Sequence, residues 1–267
     1  MKSLFVKQYD AFGDWVSVNG LIRHMIEEQS YDKVYLVLEY NENSKNVIEM
    51  LYGDDSRITT IMDTQVNSVC TLNDDVIDLR SENNPRNRSR NYWCNQNPYG
   101  NYIHTGEQSN SDMFYTRLGI DPKIKNNKFF LSRKYDLEEK FFASLNIEEP
   151  YSVVCDYGED LKGRPPAYID RKYVKNKKII NIHNISPNLV DILKILENSD
   201  DIHLIENTVS LLVYHLQSAN LLDRFNVNLH AYARKEPHRK CDGPDCNNPF
   251  LNMLLLPKLD NWEVIWN

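Results

Sequence analysis

Two stretches of the chain combine carboxylates, amides and hydroxyls where an α/β protein does its chemistry. The first is Tyr9-Asp10-Ala11-Phe12-Gly13-Asp14-Trp15, between a short apolar run at Leu4–Val6 and an apolar stripe at helical spacing from Trp15 to Ile26. A carboxylate at a helix start is favoured by the helix dipole, so Asp14 reads as an N-terminal cap. It also reads as a general base at the open end of a strand, taking a proton from an attacking hydroxyl. Gly13 permits a tight backbone beside it. Position alone favours the cap. The second stretch is Leu204-Ile205-Glu206-Asn207-Thr208-Val209-Ser210, where a strand delivers Glu206 and a helix opens with Asn207, Thr208 and Ser210. Unpaired N–H groups and hydroxyls at such a mouth suit a diphosphate, and Glu206 suits ribose hydroxyls. Capping accounts for the same residues equally well.

Other side chains gather at strand exits. Asp156 and Tyr157 follow the run Tyr151–Cys155, and His183 and Asn184 follow Lys178–Ile182. Ligands of open α/β sheets bind beyond the carboxyl ends of the strands, which makes all four donor-site candidates. Arg164, in Gly163-Arg164-Pro165-Pro166, and Arg234, in Ala231-Tyr232-Ala233-Arg234-Lys235, are candidates for offsetting phosphate charge; each also reads as a solvated arginine. Trp15, Tyr92 and Trp93 supply rings able to stack on the C–H faces of a sugar acceptor. Arg86, Arg88 and Arg90 beside Tyr92 and Trp93 also fit a single-stranded nucleic acid. The net charge of −7 argues against that partner and against an anionic membrane.

Several classes fall away. No Gly-x-Gly-x-x-Gly follows a strand and no Gly-x-x-x-x-Gly-Lys-Ser/Thr occurs, which argues against nicotinamide, flavin and P-loop enzymes. The five cysteines, odd in number and scattered, read as reduced thiols in a cytoplasmic setting. Cys241 and Cys246 would need two more ligands to hold zinc, with only His230 and His238 nearby, so no metal is expected. No run approaches the ~20 apolar residues of a membrane span, and the start of the chain reads as a strand rather than a leader.

Elements of two kinds must position these residues. Strand signals at Leu4–Val6, Val34–Leu38, Ile58–Met62 and Val76–Leu79 alternate with helical stripes at Trp15–Ile26 and Asn46–Tyr52. A polar stretch, Ser81–Ser111, interrupts, and helical pattern resumes at Phe114–Leu118. Asp136 and Glu139 match a capping box for a helix over Leu137–Leu145, and Glu148-Glu149-Pro150 marks a hinge. Alternation then returns. Strands are expected at Tyr151–Cys155, Lys178–Ile182, Ile202–Ile205 and Asn228–Tyr232, with helices opening at Ser186-Pro187 and spanning Thr208–Leu216. Two successive α/β runs imply two Rossmann-like lobes, 1–149 and 150–267, each with a parallel sheet.

The residues of both runs carry a family resemblance. Leu4-Phe5-Val6-Lys7, Phe12-Gly13-Asp14-Trp15-Val16 and Asn19-Gly20-Leu21-Ile22-Arg23 together resemble the first strand, loop and helix of heptosyltransferase-like GT-B glycosyltransferases. Asp201–Ser210 is similar to the donor-site strand and helix start of those enzymes and of their fucosyltransferase-like relatives. The resemblance implies a GT-B fold with a cleft between an acceptor-binding first lobe and a nucleotide-sugar-binding second lobe. It gives Asp14 the acceptor-activating role and implies metal-independent, inverting transfer to a glycan hydroxyl in surface or capsid glycan synthesis. Asn207-Thr208-Val209-Ser210 stands where heptosyltransferases carry Thr-Gly-x-x-His, so the resemblance does not extend to ADP-heptose. Rival readings are a non-catalytic glycan-binding protein and another nucleotide-ligand enzyme such as a methyltransferase. The latter wants a glycine-rich turn after the first strand, where this chain has only Gly13.

Overall fold

The computed structural model describes residues 2–8, 12–38, 42–79, 112–116, 118–156, 169–176, 178–182, 191–205, 207–223, 225–231, 259 and 261–266. The chain divides into two compact units, Met1–Ser132 and Arg133–Asn267.

In the first unit, β1 (Ser3–Lys7), β2 (Lys33–Leu38), β3 (Ile58–Met62) and β4 (Asp75–Asp78) form a sheet ordered β3-β2-β1-β4, parallel throughout. All five residues of β1 are buried, because a parallel strand in mid-sheet is covered on both faces. Leu4, Val6, Val34 and Leu36 fill one face; Phe5, Val37, Ile61 and Val76 fill the other, where Val66 of helix α4 (Asp63–Val69) packs onto them. The expected helix after β1 is two: α1 (Phe12–Ser17) and α2 (Asn19–Glu28), parted at Val18. Helices α3 (Glu42–Tyr52), α5 (Asp112–Thr116) and α6 (Ile124–Asn127) complete this unit among the described residues. The chain runs β1 to β2 to β3 in one direction, then crosses to β4 on the other side of β1. That reversal makes the carboxyl ends of β1 and β4 a topological switch point.

The second unit repeats the scheme. After α7 (Tyr135–Ser144), strands β5 (Tyr151–Cys155), β6 (Lys178–Asn181), β7 (Asp201–Ile205), β8 (Val227–Ala231) and β9 (Trp262–Trp266) form a parallel sheet ordered β6-β5-β7-β8-β9. Helices α8 (Leu193–Glu197) and α9 (Thr208–Ser218) accompany it. Here the reversal falls between β5 and β7. Strand β9 is an element the sequence pattern did not signal.

Two expectations need correction. The units part at Ser132/Arg133, not at Glu148-Glu149-Pro150. Buried Arg133 donates to Glu138 of α7 and, at 2.5 Å, to Glu197 of α8, tying α7 into the second unit. Nor does Asp136 cap α7. That helix starts at Tyr135 with no side-chain cap, and Glu139 instead pairs with Lys194 at 3.1 Å. The expected helix start at Ser186-Pro187 and the stretch Ser81–Ser111 lie outside the described residues, as do Cys94, Cys241 and Cys246. Cys70 and Cys155 are not joined in disulfides among the described residues. Among the described residues no helix is long and apolar enough to cross a membrane.

Candidate functional site

At the first switch point, β1 hands the chain to α1, which carries Gly13, Asp14 and Trp15. A six-residue helix is too short to persist by itself, so tertiary bonds must hold it. The Ser17 hydroxyl donates to the Gly13 carbonyl at 2.9 Å, and the Val18 amide to the Asp14 carbonyl at 3.2 Å. From α3, the Tyr52 hydroxyl donates to the Trp15 carbonyl at 3.0 Å; from α5, the Tyr115 hydroxyl donates to the Ser17 carbonyl at 3.0 Å. Asp14 lies within the first turn rather than at the cap. Among the described residues no group donates a hydrogen bond or ion pair to its carboxylate. Its side chain is partly exposed, yet burial of the carboxyl pushes its pKa from 3.8 up to about 7. A lone, dehydrated carboxylate titrating near neutrality has the properties of a general base.

On the opposite face of the same strand, fully buried Lys7 meets Asp63 at 3.0 Å. The Asn19-Gly20-Leu21-Ile22-Arg23 segment is a structural clamp. Arg23 donates to both oxygens of Asp54 at 2.8 Å and to the carbonyls of Leu51 and Phe130, while Asn19 Oδ1 accepts from Arg23 and the Phe130 amide. Gly20 lies so close to α6 that a Cβ there would come within 2.7 Å of the Ile124 carbonyl oxygen. A groove of about 590 Å³ beside Arg23, Asp54 and Arg57 lies at the amino end of β3, away from the strand exits. Its arginines are already paired with Asp54 and Asp55. Trp15 corrects an expectation. It is 0% exposed and offers no ring face to an acceptor sugar.

At the second switch point, Asp156 leaves β5 and Asn207 follows β7. Asn207 Nδ2 donates to Cys155 Sγ at 3.2 Å, so the two exits touch. Burial, reinforced by the Asp156 charge and only partly offset by Asn207, pushes the Cys155 thiol up to about 11; it stays protonated. Buried Asp156 accepts from Arg171 at 2.7 Å and from Asn181 at 2.8 Å. Asn207 and Ser210 form a complete capping box. Asn207 Oδ1 accepts from the amides of Val209 at 2.9 Å and Ser210 at 3.1 Å, while Ser210 Oγ accepts from the Asn207 amide. The structure therefore realises the capping reading at Asn207 and Ser210, whose polar atoms are engaged within the helix mouth. Thr208, partly exposed, is the remaining described member of that mouth. Tyr157, Arg164, His183, Asn184, Glu206, Arg234, Tyr92 and Trp93 lie outside the described residues.

One polar assembly escaped the sequence reading. On the face shared by Ser152, Asp201 and His203, Ser152 Oγ donates to Asp201 Oδ1, Asp201 Oδ2 binds His203 Nε2 at 2.7 Å, and His203 Nδ1 meets His230 Nε2 at 2.9 Å. All four are buried. Burial works to raise the Asp201 carboxyl, but hydrogen bonds from Ser152, His203 and the Lys175 amide hold it below its usual range. The alternation Asp201-Ile202-His203 inside an apolar strand was the available signal. Among the described residues no group of three His, Cys, Asp or Glu side chains is placed to hold a metal ion.

No protein-family model matches the chain, and no curated protein matches it in sequence. Among solved structures it is similar to the glycosyl transferase family 9 protein from Veillonella parvula DSM 2008, at 12% identity and a TM-score of 0.61. The likeness covers 99% of this chain and 87% of that one. At that identity it establishes a shared fold: an α/β architecture of parallel sheets.

Proposed function

We propose that the chain is a glycosyltransferase that moves a sugar from a nucleotide-sugar donor to a glycan hydroxyl, with inversion and without a metal. The observation that carries this reading is Asp14, a dehydrated carboxylate with no donor among the described residues, at the β1–β4 switch point. The fold shared with a glycosyl transferase family 9 protein supports it. On this reading the units are the two lobes of a GT-B enzyme, the first for acceptor and the second for donor. Asp14 takes the acceptor proton as that oxygen attacks the anomeric carbon. The new C–O bond forms as the bond to the nucleoside diphosphate breaks, and the diphosphate leaves with the electron pair. Thr208 at the opening of α9 receives it, with Arg164 or Arg234 offsetting its charge and Glu206, Tyr157, His183 and Asn184 completing the donor site. Tyr92 and Trp93 serve the acceptor. The reaction would run in the cytoplasm, within surface or capsid glycan synthesis.

Thermal shifts against a panel of nucleotide sugars and nucleoside diphosphates test the donor class. A selective rise with one nucleoside diphosphate supports the transferase. A rise with S-adenosylmethionine alone overturns it in favour of a methyltransferase, and glycan binding without turnover leaves a binding protein.

A further inference from the structure

The last four carbonyls of any α-helix lack partners within it. In α1 those carbonyls carry most of the anchoring. The Asp14 carbonyl is met by the Val18 amide, and those of Trp15 and Ser17 by the hydroxyls of Tyr52 and Tyr115. Tyr115 does a second task. Its oxygen also accepts from the Leu21 amide at 3.0 Å, in the first turn of α2, where Val18 supplies no side-chain cap. One phenol thus closes both sides of the break between α1 and α2. Both rings are buried, at 2% exposure for Tyr52 and 0% for Tyr115. Burial pushes both phenols above their ordinary range, so neither ionises near neutrality and neither bond switches with pH.

The two tyrosines come from α3 and α5, separate in sequence from the helix they hold. We infer that Tyr52 and Tyr115 are positioning residues for Asp14, gripping the carbonyl end of α1 so that the carboxylate stays fixed and dehydrated. The inference rests on the reading of Asp14 as the base, though its main test does not. Among the described residues, charged groups on and beside the packed helices form pairs: Arg23 with Asp54, Glu27 and Glu28 with Lys128, Lys45 with Glu49, and Lys125 with Asp112. Burial is the cause of the Asp14 shift, so hydration is what a loosened α1 would change.

The experiment uses the full chain with ¹³C-labelled aspartate, the Asp14 carboxyl resonance being assigned by its loss in Asp14→Asn. Wild type should titrate near pH 7. In Tyr115→Phe, with helix content unchanged by circular dichroism, the midpoint should fall by about one pH unit or more as water reaches the carboxylate. Tyr52→Phe should move it the same way and serves if Tyr115→Phe does not fold. Turnover should drop about tenfold in either variant with KM for the nucleotide sugar unchanged. Folded variants with an unmoved midpoint overturn the inference, as does a wild-type midpoint in the ordinary carboxyl range. Full turnover in Asp14→Asn would sink the proposed base while leaving the titration result standing, so the two failures are distinct.

Discussion

The two switch points have the same topology and opposite chemistry. At the carboxyl end of β5, Asp156 is held by Arg171 and Asn181, and beside it Asn207 and Ser210 satisfy each other and the first turn of α9. At the carboxyl end of β1, Asp14 sits in the first turn of its helix with no donor among the described residues, while the backbone around it is bound at nearly every free carbonyl. Buried polar groups with partners lower the energy of the fold; a partly exposed carboxylate that loses much of its water and gains no partner raises it. The first arrangement is satisfied within the fold; on the proposed function, the second is the base that meets the acceptor.

Removing Asp14 is the largest way to break that contrast. Asp14→Asn should lower transfer about 10²–10⁴-fold, the usual contribution of a general base, and leave thermal shifts by the nucleoside diphosphate unchanged. Wild-type turnover should rise through about pH 7 as the carboxyl ionises. The stability effect has the opposite sign. A carboxyl raised from 3.8 to about 7 holds its proton in the folded state after the unfolded chain has lost it, so its contribution is complete below pH ~4 and disappears as pH rises through ~7. Asp14→Asn should therefore stabilise the protein at pH 8, by at most ~4 kcal/mol, and hardly at pH 4. Equal urea midpoints for the two proteins at pH 8 would erase the distinction between the switch points.

Arg133→Ala should behave in reverse. It strands Glu138 and Glu197 and should cost about 3–5 kcal/mol in urea denaturation, with no change in turnover per folded molecule. Gly20→Ala comes next, at ~1–3 kcal/mol, since its new methyl would press on the α6 backbone. Asn207→Ala is the mildest, at ~0.5–2 kcal/mol for a lost cap. Its value is discriminating. Unchanged donor affinity confines Asn207 to architecture, whereas a loss of affinity beyond the loss of stability makes the helix mouth a ligand site as well.

What could be read from the sequence was what is local. Alternating strand and helix signals gave both parallel sheets, and the exits holding Asp14 and Asn207 did fall at switch points. The break at Val18 was hidden because the apolar stripe from Trp15 to Ile26 runs straight across it, and the hydroxyl that bonds both of its sides belongs to Tyr115, ninety-four positions beyond Leu21. The unit boundary was misread at Pro150 because the tie that assigns α7 is an ion pair from Arg133 to Glu197, invisible to periodicity. For Asn207 and Ser210 the sequence left function and capping balanced, and only bond geometry distinguishes them.

The clamp around α2 also bears on the order in which the molecule assembles. Residues 3–79 contain every described strand of the first sheet, yet Leu21 waits for Tyr115 and Asn19 and Arg23 wait for Phe130. Contacts of such long sequence separation form slowly. During refolding the first sheet should therefore gain protection from hydrogen exchange while the amide of Leu21 is still exchanging, so that the segment bearing Asp14 matures last within its own half of the protein.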